Sequence, residues 1–306
     1  MFYVIIPLCL KLKPYSDLML ELLSSGVFPP PPDTWCQQPG WTRYCHSAGK
    51  MSTVDWPQEK CMVFDVEVAV IEDPRAVMAV ALTSKAWYSW LSPEIVHGES
   101  FPKGGISPDT MIPLGSDSDP RLVIGHNVAY DRVRVGDEYE LDLSGTRYLD
   151  TMSLHIATAG MTSQQRLVYQ GAKNCTPEEM KHKPRWLRKT CMNGLADVYK
   201  FYCRPGKELD KDVRNSFVTL SLTELSRDIN RLLTYCAGDV AATMEVTRVL
   251  YPLFTEQCPH PASLSGRVRN GLFGTESMTE NTLGSELSMV NYTRTGLSIK
   301  QLTLNE

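Results

Sequence analysis

The chain has 306 residues, of which 42% are hydrophobic and 22% charged, an ordinary composition for a soluble globular protein. Its formal net charge of −4 argues mildly against a general binder of polyanions such as nucleic acid, without excluding local basic patches. Nine scattered cysteines include no C-x-x-C pair, so neither a zinc site nor a compact disulfide framework is predicted, and an odd number suits a reducing compartment.

Residues 1–57 are predicted to be a segment that flanks the main domain. The opening apolar run of about ten residues is too short to span a bilayer, and it lacks the basic residues of a targeting peptide. We expect neither a membrane anchor nor a recognisable targeting signal. Ser16 to Ser25 is predicted to form a short helix, which Gly26 and a stiff proline run end. Trp35 to Glu59 is turn-rich and predicted to be irregular.

The main domain is predicted at residues 58–264, where strands come first and helices then alternate with strands. The strands are predicted at Cys61–Ile71, Arg75–Thr83, Arg121–Gly125 and up to Asp150, and the helices from Asn127, at Thr151–Ala172, at Asn193–Tyr202 and within Leu222–Phe254. The aromatic residues of AWYSW, Ala86–Trp90, follow the second strand and are predicted to pack behind the sheet. This order indicates an α/β fold with helices against a mixed central sheet. Residues 265–306 are rich in Ser, Thr, Asn and Gly and are predicted to be a poorly ordered tail.

The strand Cys61–Ile71 carries two acidic residues, Asp65 and Glu67. Residues two apart in a strand point to the same face, so both carboxylates project together. Burying two like charges is costly, and a divalent cation would remove that cost. Taken alone, D-x-E is more often an exposed edge strand with a solvated acidic face, so this pattern is a weak signal.

Two further pairs follow at four-residue spacing. Asn127 lies at a predicted helix N-cap, and Asp131 lies one helical turn later, near the end of the preceding strand. Tyr235 and Asp239 share one face of a predicted late helix. A capped surface helix and a Tyr–Asp surface hydrogen bond would explain each pair separately. Only the three motifs together, in this order, make a specific pattern.

The set D-x-E, N-x-x-x-D and Y-x-x-x-D resembles the DEDD exonucleases of the ribonuclease H-like fold, in the variant with a tyrosine in the third motif. Asp150-Thr151, after a short strand, is also similar to that superfamily. The resemblance implies a ribonuclease H-like α/β fold and hydrolysis of phosphodiester bonds assisted by two metal ions.

The implied catalytic residues are Asp65, Glu67, Asp131, Tyr235 and Asp239, and the four carboxylates are the implied metal ligands. Oxygen ligands suit two Mg²⁺ ions, with Mn²⁺ as the alternative. In this assignment Asp65 bridges the ions, Glu67 and Asp239 bind the ion on the attacking-water side, and Asp131 binds the other. Tyr235 would orient the water, because a phenol with a pKa near ~10 is a poor base at neutral pH.

A wider resemblance covers roughly Tyr15 to Leu264. VFDVEV, AWYSW, GHN-x-x-x-DR, LDTMSLHIA-x-AG, NGLADVYKFY, YCAGDV-x-AT-x-EV and PLF-x-x-x-CPHP are similar to the exonuclease region of the mitochondrial DNA polymerase gamma family, which belongs to the family A polymerases. The resemblance implies proofreading of a DNA 3′ end, single-stranded or frayed, during mitochondrial DNA replication. It also implies location in the mitochondrial matrix nucleoid.

The family's spacer, palm, fingers and thumb have no counterpart in these residues, so nucleotide addition is not expected. Binding of the polymerase accessory subunit is not expected either, because its main docking region would lie downstream. The tail from about Arg267 does not resemble the family, and the basic stretch Lys181 to Lys189 is shorter than the family's linker and differs from it.

Residues outside the acidic set are candidates for substrate contact. In KHKPRWLRK, Lys183 and Arg185 could bind phosphates and Trp186 could stack on a base, although a solvated basic loop is the commoner explanation of such a stretch. Asn127 and Phe64 are the other two candidates. The lone histidines near the motifs, His126 and His155, are predicted to be hydrogen-bonded structural residues without a metal role.

The leading hypothesis is a 3′→5′ DNA exonuclease. Two alternatives remain open at the level of sequence. One is a non-catalytic module that binds DNA, and the other is an RNA 3′-exonuclease of the same superfamily, because the acidic set by itself does not discriminate DNA from RNA.

Overall fold

The computed structural model describes residues 2–45, 49–102, 107–115, 118–139, 145–173, 175–203 and 211–257. Within them, a mixed sheet of seven strands lies at the centre of the fold. The strands are β1 (Gly40–Cys45), β2 (Met51–Val54), β3 (Cys61–Val68), β4 (Ala76–Leu82), β5 (Ala86–Leu91), β6 (Arg121–Gly125) and β7 (Thr146–Asp150). Their spatial order is β2-β1-β5-β4-β3-β6-β7.

Helices flank this sheet, which confirms the predicted α/β class of ribonuclease H-like architecture. The α-helices are α1 (Phe2–Ser24), α2 (Pro93–His97), α3 (Ala129–Arg132), α4 (Thr151–Ala159), α5 (Ser163–Ala172), α6 (Pro177–Lys181), α7 (Leu195–Tyr202), α8 (Lys211–Thr219), α9 (Leu222–Leu225) and α10 (Ile229–Gln257). Short 3-10 helices lie at Pro108–Thr110, Gly136–Tyr139, Arg185–Arg188 and Ser226–Asp228. Among the described helices, none is both long and apolar enough to cross a membrane.

The strand directions bring three strand ends to one edge of the sheet. β3 pairs antiparallel with β4 but parallel with β6, and β6 pairs parallel with β7. Parallel neighbours end at the same edge, so the residues that follow β6 and β7 lie beside the second half of β3. Asp65 and Glu67 belong to that half.

Both faces of the sheet are covered by apolar side chains. Met62, Phe64 and Val66 point into one core layer, while Val63 points into the other, where α10 and α1 pack. This alternation follows from the two-residue period of a strand. It confirms that Asp65 and Glu67 share a face, and that face lies towards α10.

The prediction that Trp35 to Glu59 is irregular was wrong, because the segment contains β1 and β2. Gly and polar residues hide these strands from sequence patterns, whereas pairing along the full length of β5 and burial of Trp41 stabilise them. The sheet therefore crosses the boundary predicted at residues 57 and 58. Helix α1 is also longer than the predicted helix and packs Met19 into the core.

The single helix predicted at Thr151–Ala172 is two helices, α4 and α5. Gly160 ends α4 with an extended backbone, and a Cβ at this position would lie 2.4 Å from the carbonyl oxygen of Ile156. Thr162 then begins α5 with a capping box to Gln165. The predicted tail at 265–306 lies outside the described residues.

Candidate active site

The first part of the site is the second half of β3. Asp65 and Glu67 lie opposite Val80 and Met78 of β4. The register with β4 shifts between Glu67 and Val68, and such a bulge increases local twist and redirects a side chain. Both acidic side chains remain partly accessible, although every neighbouring position of the strand is buried.

The second part is the turn between β6 and α3. Asp131 is only 2% exposed, and its Oδ1 accepts a hydrogen bond of 3.0 Å from the backbone N–H of Val66. This bond ties the carboxylate directly to β3, between Asp65 and Glu67. Gly125 permits the close approach, since a Cβ there would lie 2.7 Å from Cγ2 of Val128 and 3.3 Å from the carbonyl oxygen of Phe64.

Asn127 does not cap α3 as predicted. The N-cap position is Val128, without a side-chain hydrogen bond, and Asn127 instead adopts a left-handed backbone with φ of 62°. Asparagine tolerates that conformation better than most residues. Its backbone N–H donates to Oδ1 of Asp150 at 2.8 Å, and its exposed side chain lines the cleft described below.

Asp150 is a buried residue that positions this turn. Besides Asn127, its carboxylate accepts hydrogen bonds from the backbone N–H of Met152 at 3.0 Å and the hydroxyl of Ser153 at 2.8 Å. It therefore caps α4 and holds the loop after β6 at the same time. Asp150 is not among the described residues that line the cleft, but it holds Asn127, which does line it.

The third part is helix α10, which packs across β3 and β4. Tyr235 and Asp239 lie on one face of this helix, as their spacing predicts, and both line the cleft. Cys236, fully buried between them, approaches Asp65: its Sγ lies 3.4 Å from Oδ2. The ligand atoms of Asp65, Glu67 and Cys236 all lie within 4.8 Å of one another.

The five predicted catalytic residues thus line one cleft with a volume of about 1000 Å³. Burial, together with the charge of Asp239, raises the pKa of Asp65 to about 8. Burial and the neighbouring carboxylates raise the pKa values of Glu67 and Asp131 well above their ordinary values. Burial also raises the pKa of Asp239 to about 6, although the Tyr235 hydroxyl and Arg214 oppose this.

This electrostatic pattern fits a cation site. Four carboxyl groups in one cleft repel each other as anions, and bound divalent cations would offset that repulsion. A second observation agrees, since Oδ1 of Asp239 is a buried oxygen without a hydrogen-bond partner in the described part of the chain. A hard cation with oxygen ligands is the group that such a donor set accepts.

Comparison with known proteins agrees with this geometry. The family model described as the DNA mitochondrial polymerase exonuclease domain matches residues 10–254. The chain belongs to this family. Membership implies that the exonuclease domain uses a divalent metal ion.

Several curated polymerases contain a similar exonuclease domain. The chain is 40% identical to "DNA polymerase subunit gamma-1, mitochondrial" of Drosophila melanogaster over 85% of its own length and 23% of that protein. It is 37% identical to "DNA polymerase subunit gamma-1" of Xenopus laevis over 85% of its length and 24% of that protein. The chain is 38% identical to "DNA polymerase gamma" of Schizosaccharomyces pombe over 79% of its own length and 25% of that protein. The chain therefore spans about a quarter of the length of these relatives.

Among the predicted substrate contacts of the exonuclease domain, Phe64 was wrong. Its ring is 1% exposed and packs against Trp41 on the opposite face of the sheet, with ring centroids 6.4 Å apart. Lys183, Arg185 and Trp186 do not belong to the described lining of the cleft. A role for these three residues along a longer strand stays a prediction.

Sequence reasoning missed two cations of the exonuclease domain. Lys173, at the end of α5, and Arg214, on α8, both line the cleft. Neither belongs to a motif, and α8 is far from β3 in sequence. The only signal in the sequence was a basic residue on a helix, which is too common to single out.

Both histidines near the motifs are hydrogen-bonded, and His126 also lines the cleft. His126 contacts the Thr151 hydroxyl at 2.9 Å through Nδ1 and the Asn193 carbonyl at 2.7 Å through Nε2. His155 contacts the hydroxyl of Tyr202 at 3.1 Å. Burial lowers the pKa of both imidazoles, so both are neutral at neutral pH and join neighbouring elements of the exonuclease domain.

Proposed function

We propose that this chain is a 3′→5′ exonuclease that removes nucleotides from the 3′ end of a DNA strand by hydrolysing the terminal phosphodiester bond. One observation carries the proposal, which is the convergence of side chains from three separate elements at one cleft. These side chains are Asp65, Glu67, Asp131, Tyr235 and Asp239. The family of the chain supports the same activity.

Two Mg²⁺ ions, or Mn²⁺ in their place, are the proposed cofactors. Asp65, Glu67, Asp131 and Asp239 would hold them, because carboxylate oxygens are the ligands these ions prefer. When bound, the ions supply charge neutralisation at the scissile phosphate and at the attacking and departing oxygens.

Tyr235 is proposed to orient the attacking water. Burial and the charges of Asp239 and Glu67 raise the pKa of its hydroxyl, so the phenol stays protonated at neutral pH. A protonated hydroxyl can donate a hydrogen bond but cannot act as a base. The nearby Asp239 carboxylate and the Phe217 ring, with centroids 6.4 Å from that of Tyr235, restrict the position of the phenol.

The preferred substrate is a single-stranded or frayed 3′ end. Asp131 is 2% exposed, and the carboxylates line a cleft whose other lining residues come from α8, α10 and the segment 193–197. A terminal nucleotide must leave its base pair to reach them, and a mismatched pair frays at the lowest cost. This argument supports removal of mismatched ends, which is proofreading.

The cellular setting is inferred from the relatives. The Drosophila relative is named a mitochondrial DNA polymerase, and we infer that this chain also acts in mitochondria, in the matrix nucleoid, during DNA replication. The comparison covers the exonuclease part of those proteins, so nucleotide addition is not proposed for these residues.

The test is degradation of a 5′-labelled DNA primer with a 3′-terminal mismatch, in Mg²⁺. The inactive control is the double variant Asp65→Asn/Glu67→Gln. The matched control is Asp55→Asn, which removes an exposed carboxylate outside the cleft. We expect stepwise shortening from the 3′ end by the wild type and by Asp55→Asn, and none by the double variant.

Two outcomes would decide for the alternatives. Strand binding without shortening, measured by fluorescence anisotropy on folded protein, would support a non-catalytic module. Faster shortening of an RNA strand of the same sequence would support an RNA exonuclease.

A further inference from the structure

Arg214 has an unusual position for an arginine beside four carboxylates. It lies on the exposed side of α8, lines the same cleft, and makes no hydrogen bond or ion pair within the described part of the chain. Arginines beside buried carboxylates ordinarily pair with them. A free guanidinium at this position is therefore available to a ligand.

The helix that carries Arg214 is fixed firmly against the site. Val213 and Phe217 are each 2% exposed and bury the inner face of α8. The carbonyl oxygen of Phe217 accepts a hydrogen bond of 2.9 Å from the N–H of Val70, just after β3. The ring of Phe217 packs near Tyr235. Arg214 thus projects from a wall that is attached to both β3 and α10.

The electrostatics place the guanidinium on one side of the site. Its charge lowers the pKa values of Glu67 and of Asp239, opposing the effect of burial. These are the carboxylates next to Tyr235. Lys173 is the other Lys or Arg side chain in the described lining of the cleft.

The substrate adds negative charge at this point. Four carboxylates and two divalent cations balance, so the scissile phosphate brings in a charge that the ligands and ions leave uncompensated. A guanidinium has a planar set of donors that matches two phosphate oxygens at once. Hydrolysis adds further charge, because the released nucleotide ends in a phosphate monoester.

The geometry points to Arg214 as a phosphate-binding residue that holds the phosphoryl group of the 3′-terminal nucleotide during hydrolysis and in the released nucleoside 5′-monophosphate. This inference rests on the proposed exonuclease function and assigns the part of the substrate that this side of the cleft recognises. Neutral parts of the nucleotide, its sugar and base, do not involve Arg214.

The experiment compares binding of thymidine 5′-monophosphate and thymidine to the full chain in Mg²⁺, by isothermal titration calorimetry. The variants are Arg214→Gln, Arg214→Lys and, as a matched control, Arg227→Gln, which removes an exposed arginine outside the described cleft lining. Thermal melting checks that each variant is folded.

We expect Arg214→Gln to bind the monophosphate roughly tenfold to a hundredfold more weakly than the wild type, since charge-assisted hydrogen bonds are lost. Thymidine affinity should not change. The monophosphate affinity of Arg214→Lys should lie between those of the wild type and Arg214→Gln, because lysine keeps the charge and loses the planar donors. The affinity of Arg227→Gln should match that of the wild type.

Equal monophosphate affinity of Arg214→Gln and wild type would overturn the inference, as would a wild type that binds the monophosphate no better than thymidine. Primer shortening by the wild type, measured in parallel, separates this failure from failure of the proposed function. If shortening occurs while monophosphate binding ignores Arg214, only the role of Arg214 is wrong.

Discussion

At the scale of single residues, the acidic set conflicts with the stability of the domain that contains it. Asp131 is almost fully buried, and Asp65, Glu67 and Asp239 are partly shielded from solvent in the cleft. Burial therefore disfavours the ionised forms of these carboxyl groups. Active sites commonly sacrifice stability in this way. Substitutions that remove charge should therefore separate stability from activity.

Asp65→Asn should raise the melting temperature of the metal-free protein while abolishing primer shortening. Asparagine is similar in size and removes a charge that burial and Asp239 disfavour. Differential scanning fluorimetry in EDTA measures the effect, and Asp55→Asn, at an exposed position, should leave the melting temperature unchanged. A lower melting temperature for Asp65→Asn would contradict the account of charge repulsion.

The stabilisation of Asp65→Asn relative to the wild type should increase with pH. The pKa of Asp65 is raised to about 8 in the fold, against about 4 in an unfolded chain. Between these values the folded state binds more protons, so the free energy of unfolding falls as the pH rises. Asparagine does not titrate, and its advantage over the wild type in EDTA should increase from about pH 5 to about pH 8. A constant difference would refute the pKa assignment.

Tyr235→Phe should lower kcat on the order of a hundredfold, as loss of an oriented donor typically does, with little change in KM. The ring remains, so packing against Phe217 and the melting temperature should be preserved. Tyr199→Phe is the matched control. The Tyr199 hydroxyl, on α7, donates a hydrogen bond of 2.8 Å to Glu245 of α10, and neither residue belongs to the described lining of the cleft. Single-turnover kinetics distinguishes chemistry from binding, and an unchanged kcat would remove Tyr235 from the mechanism.

At the scale of elements, α1 belongs to the core although the sequence presents it as a flanking helix. Met19 is 1% exposed and Leu22 is 1% exposed, and the hydroxyl of Tyr15 donates to the carbonyl oxygen of Gly145 at 2.8 Å, next to β7. Helix α1 also packs against β3, which carries Asp65 and Glu67, and against β6, which leads into the turn before Asp131. Helix α1 therefore packs behind the strands on which the site is built.

Met19→Ala should lower the free energy of unfolding by about 2–5 kcal/mol, because it leaves a cavity in the core. The adjacent Leu20 is 57% exposed, and Leu20→Ala should change stability by no more than about 0.5 kcal/mol. Urea unfolding followed by tryptophan fluorescence compares the two. Equal effects would mean that α1 does not pack as described.

At the scale of the whole molecule, the three parts of the site meet only when the sheet, α3 and α10 are assembled. An ion that binds this assembled site binds the folded state in preference to the unfolded chain, so it stabilises the whole domain by mass action. Metal binding and folding should therefore be coupled in this protein.

Mg²⁺ should raise the melting temperature of the wild type in proportion to the logarithm of its concentration. The free energy of unfolding should increase by about 2.7 kcal/mol when the Mg²⁺ concentration is a hundredfold above the dissociation constant. Calorimetric melting curves at increasing Mg²⁺ measure it, and the Asp65→Asn/Glu67→Gln variant should respond weakly. An equal response of both proteins would place ion binding elsewhere.

The sequence was sufficient to single out the four acidic residues and the tyrosine that line one cleft, because their order and spacing form a specific pattern. Their catalytic roles stay a prediction. The sequence also predicted β3, β4 and β6 to within a few residues, since buried strands have a strong apolar pattern. It was insufficient for β1 and β2. Their stability comes from pairing with β5, and pairing partners far along the chain leave little local pattern.

The sequence by itself determined the family of this protein and predicted its chemistry, because both depend on which residues occur and in what order. Only the tertiary structure decided that Phe64 packs on the face of the sheet opposite the acidic residues, that Asn127 adopts a left-handed backbone, and that Arg214 lines the cleft. Each of these facts depends on where a distant element packs. Packing depends on many weak contacts between remote residues, and no short stretch of sequence records their sum.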